Sequence, residues 1–217
     1  MLVKTEAISL KRTPFAENSA VAHIFTRDHG LLSFMVKSLQ GKSGKGALLN
    51  PGTFSEIVFY HKQTETLRHI REIKAIEPLP PQQPVKLAIL LFFSELLYLS
   101  VPEGQPDESL FAFIKGEVLR LNREKTKMEW LPHTFILKLS DITGHNPLGA
   151  GKEHSALLKF DRDDLTYINM LWEGQIPELT ADYRKNLLGK LVDFAEEQIF
   201  PGRQVKSYPV LKALFEN

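Results

Sequence analysis

From Thr5 to Arg12 apolar and polar residues alternate, with Ile8 and Leu10 on one side and Ser9 and Lys11 on the other. That period of two is the pattern of a half-buried strand. Thr13-Pro14 is expected to end it, since proline has no N–H to give to a ladder, and Phe15 to Ser19 reads as a turn. Val21 to Thr26 predicts a second strand with Val21, His23 and Phe25 on one face. Asp28-His29-Gly30 turns the chain, Gly30 being free to take a positive φ. Leu31 to Lys37 predicts a third strand with Leu32, Phe34 and Val36 on one face. A glycine-rich loop over 38–53 follows, then a fourth strand over 54–62, a hairpin connection at Gln63 to Thr66 and a fifth strand over 67–76. Five short strands with one longer excursion between the third and fourth predict a small closed barrel. The OB-fold is the leading candidate and an SH3-like barrel the alternative.

At residue 77 the pattern changes. Glu77 to Pro84 has four prolines in eight residues, the composition of a stiff, extended linker. Helical periodicity begins after it. Val85 to Leu99 is apolar almost all round and reads as a central, buried helix. Asp107 is placed to cap a helix running to about Lys125, with Leu110, Phe111, Ile114, Val118 and Leu121 at helical spacing. His133 to Thr143, Asp163 to Trp172, Thr180 to Ile199 and Lys206 to Phe215 complete a bundle of about five or six helices. The expected organisation is α+β and multidomain: a barrel over 1–77, a linker over 78–84 and an all-α helical domain over 85–217.

Charge divides along the same boundary. Residues 1–76 hold eleven Lys/Arg against six Asp/Glu, a net of +5, whereas residues 77–217 hold sixteen against twenty, a net of −4. A basic half joined to an acidic half predicts a polyanion partner for the first half only. No carboxylate lies between Asp28 and Glu56, and within that span Lys37, Lys42 and Lys45 sit at or in the glycine-rich loop. Cysteine is absent, which removes disulfides, a thiol nucleophile and thiolate metal clusters and fits a reducing, cytoplasmic setting. No basic segment followed by an apolar run opens the chain, so no secretory signal is expected. The apolar stretch 85–99 is shorter than the ~20 residues a membrane-spanning helix needs.

Candidate catalytic chemistry is thin. Gly41-Lys42-Ser43-Gly44-Lys45-Gly46 resembles a phosphate-binding P-loop, but for Lys42-Ser43 the first glycine would fall at Val36, and Lys45 is followed by Gly46 with no hydroxyl for magnesium. His145 and His154, with Glu153, are too widely spaced for a convincing metal site. Ser140, Asp141 and His145 lack a nucleophile elbow and read as helix surface. Asp161, Asp163 and Asp164 are expected to cap a helix N-terminus rather than hold a cation. His23 and His69 are expected to be packed or solvated. The chain is therefore expected not to be an enzyme and to need no cofactor.

Read as a nucleic-acid module, the first half is better provided. Arg12, Arg27, Lys37, Lys42, Lys45, Arg68 and Arg71 supply charge for phosphates. His29, Phe34, Tyr60 and His61 are candidates for base stacking, with Phe34 and Tyr60 expected in the core instead. The rival reading is a non-catalytic adaptor whose barrel binds proteins and whose basic loop is only solvated surface.

Several stretches carry a resemblance to a known family. Thr5-Glu6-Ala7-Ile8-Ser9-Leu10, Pro14-Phe15-Ala16-Glu17-Asn18-Ser19, Phe25-Thr26-Arg27-Asp28-His29-Gly30 and Leu48-Leu49-Asn50-Pro51-Gly52 are similar to the bacterial recombination mediator family RecO. So are Asp141-Ile142-Thr143-Gly144-His145-Asn146-Pro147 and Val205-Lys206-Ser207-Tyr208-Pro209-Val210-Leu211. The resemblance runs in order through nearly the whole chain. It implies an N-terminal OB-fold, a helical C-terminal domain and no covalent catalysis. It further implies a DNA repair protein of the RecFOR pathway, in the bacterial cytoplasm at the nucleoid, that binds single- and double-stranded DNA and anneals strands. Such proteins join RecR and help load RecA onto strands coated by single-strand-binding protein, gripping that protein's acidic C-terminal tail. By the same resemblance Lys37 and Lys42 match the DNA-contacting loop, and Arg184, Lys185, Arg203 and Lys206 are secondary contacts to DNA or partner. Some members carry a four-cysteine zinc site after the Gly-x-x-Pro segment. This chain has no cysteine, so no zinc is expected there.

Overall fold

The computed structural model of the protein describes residues 1–37, 45–62, 65–77, 83–148 and 159–215. The alternating segments form β1 (Leu2–Ala16), β2 (Ser19–Thr26), β3 (Gly30–Lys37), β4 (Phe54–Tyr60) and β5 (Arg68–Ala75), with a short helix α1 (Lys45–Leu48) between β3 and β4. They close into a barrel in the order β1-β2-β3-β5-β4, β4 returning to β1. Only β3 and β5 pair in parallel; the other neighbours are antiparallel. A five-stranded barrel of this order, with its helix between β3 and β4, is the OB-fold, and the SH3-like alternative falls away.

The inside of the barrel is filled by Ala7, Ala22, Ile24, Leu32, Phe34, Ile57 and Phe59, with Leu49 inserted from the segment after α1. Leu32, Phe34 and Val36 thus share the inner face, as alternation requires. Val21, His23 and Phe25 fall on the opposite face of β2. Phe25 is nevertheless fully buried, because helices cover it. Phe111 of α3 (Glu108–Arg123) lies 6.1 Å from Phe25 and 6.2 Å from Phe54. Tyr98 of α2 (Pro84–Ser100) lies 4.9 Å from His23, with the Lys11 ammonium over its ring at 4.4 Å. The first two long helices therefore pack on the barrel. One compact unit spans Met1–Asn122 and a second spans Arg123–Asn217, although the change in composition comes earlier, at 77.

The expected strand end at Thr13-Pro14 is wrong. Pro14 pairs with Ala20 and the strand continues to Ala16, opposite Ser19. A register shift falls between Pro14 and Ala16, and an irregularity of this kind is where a strand tolerates a residue without an N–H. The turn shrinks to Glu17-Asn18.

In the second unit a turn of 3₁₀-helix (Met128–Trp130) leads into α4 (Leu131–Ile142), followed by α5 (Arg162–Trp172), α6 (Ala181–Gln198) and α7 (Tyr208–Leu214). α4 packs against α5 and α6 and is buried nearly all round. Asp161 and Asp164 form a reciprocal capping box at the start of α5. Asp164, fully buried, also accepts from the Tyr183 hydroxyl at 2.9 Å and pairs with Lys190. The aspartate cluster is thus a helix cap. Among the described residues no helix is long and apolar enough to cross a membrane.

Unfolding measurements test two of these packing arrangements. Gly30 has φ +68°, and a Cβ there would lie 2.2 Å from the Gln105 carbonyl oxygen. Gly30→Ala combines backbone strain with overpacking and is expected to cost roughly 3 kcal/mol or more in urea unfolding; a change within experimental error would contradict this packing. His133 of α4 donates from Nε2 to the Arg184 carbonyl at 2.9 Å, and its burial pushes its pKa down to about 4. The folded state holds it neutral, so its contribution is present above the ordinary histidine pKa and is lost as pH falls toward 4. His133→Gln keeps a donor but does not titrate. It is expected to remove about 3 kcal/mol of the acid destabilisation between those two pKa values, measured as unfolding free energy against pH.

Candidate nucleic-acid interface

The basic side chains of the barrel separate into two groups. The first surrounds the far end of β3. Arg12 on β1 opposes Ala22 on β2, which opposes Phe34 on β3. Lys37 is exposed three residues further along β3, roughly 10 Å away at strand rise. The Arg12 guanidinium donates to the Gly46 carbonyl at 2.8 Å, which fixes α1 beside it. From α1 the chain enters the barrel: Leu49 is fully buried and its carbonyl accepts from the Ser9 hydroxyl at 2.9 Å. The C-terminal end of the glycine-rich segment is therefore anchored on the same wall that carries Arg12 and Lys37. Lys42 lies outside the described residues, and of Lys45 only the backbone, at the start of α1, is described.

Sequence reading missed Phe15. It stands 69% exposed at the end of the β1–β2 hairpin, whose closing pair Ala16–Ser19 continues across to Lys37. An exposed aromatic at a hairpin end is a candidate stacking platform for a base. Nothing in the local sequence distinguishes such a residue from a buried turn phenylalanine; only the extension of the hairpin beyond Pro14 reveals it.

The second group lies toward the β2–β3 turn and on β5. Arg27 in that turn pairs with Glu108, which raises its pKa further. The pair is exposed, so it is weak and open to competition from a phosphate. Arg68 is buried, 5% exposed, at the start of β5. Arg71 is exposed and donates to the Tyr60 hydroxyl at 3.4 Å, with Glu72 3.8 Å from its Nε. Tyr60 is 54% exposed, contrary to its expected place in the core, whereas Phe34 is fully buried and unavailable for stacking. His29 and His61 stack on each other, centroids 4.6 Å apart. Arg12, in register with Ala22 and Phe34, shares their side of the sheet, whereas Lys37 is on the outer side of β3; the structure brings Arg12 and the backbone of Lys45 together and leaves Arg27, Arg68 and Arg71 elsewhere on the barrel.

In the second unit Arg184 and Lys185 on α6 line a shallow cleft with Glu129, His133, Leu188, Tyr208, Lys212 and Phe215. Arg184 also lies over the Trp130 ring at 5.7 Å. Arg203 and Lys206 are exposed in the segment before α7 and do not line it. Ser140 is not on the helix surface as expected: it is fully buried, and its hydroxyl donates to the Ile136 carbonyl at 2.7 Å. Glu153 and His154 lie outside the described residues, among which no group of three or more His, Asp or Glu is placed to hold a metal ion. Without cysteine the thiolate set that binds zinc in some relatives has no counterpart in this chain.

Comparison with known proteins matches most of the chain to one family. The family model described as Recombination protein O N terminal matches residues 1–79, and Recombination protein O C terminal matches residues 81–148. A DNA repair protein RecO from Flavobacterium johnsoniae is 30% identical over 209 residues, covering 89% of this chain and 80% of its own length. One from Porphyromonas gingivalis is 30% identical over 145 residues, covering 64% of this chain and 59% of the relative. One from Azobacteroides pseudotrichonymphae is 21% identical over the full length of both. The family consists of recombination mediators rather than known catalysts, and it implies DNA and repair-complex partners. The barrel and the ordered pair of family matches meet in one assignment: the chain belongs to the RecO family of DNA repair and recombination proteins.

Proposed function

We propose that the chain is a non-catalytic mediator that binds single- and double-stranded DNA through its barrel and favours pairing of complementary strands. The observation that carries this is the set of exposed cations at this end of the barrel, Lys37 on the outer side of β3 and Arg12 on the inner side, where it ties the end of the lysine-bearing segment to β1 through Gly46. Phosphate neutralisation by Lys/Arg releases counterions from the strand. Two strands held on one basic surface repel each other less than in solution, which favours annealing. Lys37, Lys42, Lys45 and Arg12 take the backbone, and Phe15 offers a face to a base. Arg27, Arg68 and Arg71 are further contacts only where a strand runs on around the barrel.

Within the same reading, the helical part meets protein partners. The cleft is lined by Arg184, Lys185 and Lys212 together with Leu188, Tyr208, Phe215 and the carboxylate of Glu129. Cations beside apolar side chains suit an acidic peptide with a hydrophobic end, such as the tail of single-strand-binding protein. Joining RecR and assisting RecA loading at the nucleoid complete the role. Arg203 and Lys206 remain secondary contacts to DNA or partner. The division into 1–77, 78–84 and 85–217 is part of the same proposal.

Binding of a labelled single strand at several salt concentrations tests it. Lys37→Ala with Lys42→Ala is expected to weaken binding and to reduce the slope of log K against log salt by roughly 0.7 for each phosphate that is no longer neutralised. An unchanged slope would remove this loop from the interface and favour an adaptor whose barrel binds protein.

A further inference from the structure

A buried cation with an unmet donor stands across β3 from the wall that carries Arg12. Arg68 enters β5 opposite Phe34 and is only 5% exposed, yet its Nε has no hydrogen-bond partner among the described residues. A guanidinium stays charged in a protein, and a buried charge is costly unless paired. Beside it is His61, whose Nδ1 is also buried without such a partner. The His29 ring stacks on His61 at 4.6 Å and 28°. Both imidazoles stand edge-on to Phe59, at 5.9 and 6.0 Å, and Phe34 meets the same ring at 5.1 Å. Phe59 and Phe34 are fully buried against these rings, whereas the two histidines are only half-buried.

The electrostatics of this mouth are one-sided. Burial lowers the pKa of His61, and the charges of His29 and Arg68 lower it further, as does the amino group of Met1, which lies 3.1 Å from the His61 carbonyl. The neighbouring carboxylates are engaged elsewhere: Asp28 accepts from the Thr5 hydroxyl at 2.6 Å, and Glu65 pairs with Lys62 at 3.2 Å. Among the described residues Arg68 makes no ion pair with a carboxylate.

We propose that this mouth of the barrel, formed by Arg68, His61 and His29 over Phe59, is a binding site for a tetrahedral oxyanion of the phosphate type. Acceptor oxygens on one such centre offer the Arg68 guanidinium and the His61 imidazole the partners that their buried nitrogens lack, through charge-assisted bonds. The bound anion favours imidazolium over imidazole, so affinity rises as pH falls through the histidine range. The phosphate comes either from free inorganic phosphate or from the terminal phosphate of a DNA strand. The second source rests on the DNA-binding reading; the site itself does not.

Histidine imidazole NMR on the full chain, titrated with inorganic sulfate, tests the site. Sulfate keeps its charge over the range used, so any pH dependence belongs to the protein. Saturable shifts at both His29 and His61 are expected, with binding about tenfold tighter at pH ~5.5 than at pH ~8. Arg68→Gln is expected to weaken binding roughly tenfold or more, with circular dichroism confirming that it folds. Should it not fold, His61→Asn serves in its place with the same expected loss. Absence of saturable shifts at millimolar anion, or shifts unchanged in the folded variants, would overturn the site. Two otherwise identical oligonucleotides, one ending in phosphate and one in hydroxyl, then separate the sources. A preference for the phosphorylated end assigns the strand terminus, and equal binding assigns the free anion. Failure of both to bind defeats the DNA reading while the sulfate result stands.

Discussion

The barrel closes because one strand pairs along both edges. Leu2 to Ile8 of β1 pair with β4, and Ala7 to Ala16 pair with β2. A single strand serves two neighbours this way only if it bends, and the register shift between Ser9 and Lys11 supplies the bend. Ser9 is the point at which the bend is held. Its N–H donates to the Thr53 carbonyl at 3.0 Å, its carbonyl accepts from Gly52 at 2.8 Å, and its hydroxyl donates to the Leu49 carbonyl. These bonds bring the chain leaving α1 back into the wall and set Leu49 in the core. Everything proposed about the basic segment depends on that return, because it fixes where the segment ends.

Charge is then distributed by topology rather than by sequence order. Lys37 and Arg27 are ten residues apart, yet they stand at opposite ends of the β2–β3 pair. Arg12, more distant in sequence from Lys37, is in the same part of the wall. The family's role in DNA repair and recombination requires a surface that accepts phosphates without chemistry. In the proposed reading that surface is where Arg12 and Lys37 are exposed, and the anion site inferred at Arg68 and the stacked histidines is a separate one. An exposed lysine suits a passing backbone, since it keeps its hydration until a phosphate arrives. A buried arginine with an unmet donor suits a compact anion held in place.

Much of the fold was legible because alternation and helical periodicity are strong here. The strands read over 21–26, 31–37 and 54–62 and the caps read at Asp107 and at the aspartates before α5 follow from pattern and cap chemistry and correspond to β2, β3, β4, α3 and α5. Pro14 misled because a rule about ladders holds for strand interiors and not for irregular ends. The packing of α2 and α3 on the barrel was hidden for another reason. Phe25 and Phe54 look like ordinary strand residues, and only their tertiary partner Phe111 shows that the barrel has a second covered face. For the candidate interface, sequence supplied the cations but not their exposure. It treated Arg68 as equal to Lys37, and it placed Phe34 and Tyr60 together although one is buried and the other is surface. Burial is a property of the closed barrel, and no local window contains it.

In the proposed reading DNA lies against the β1–β3 wall beside the end of β3. Photo-cross-linking of an iodouracil-substituted single strand to the full chain, with adducts located by mass spectrometry, addresses it most directly. Adducts are expected to concentrate at Phe15 and in the peptides carrying Arg12 and Lys37. Adducts confined to residues 123–217, with the barrel unmodified, would contradict it.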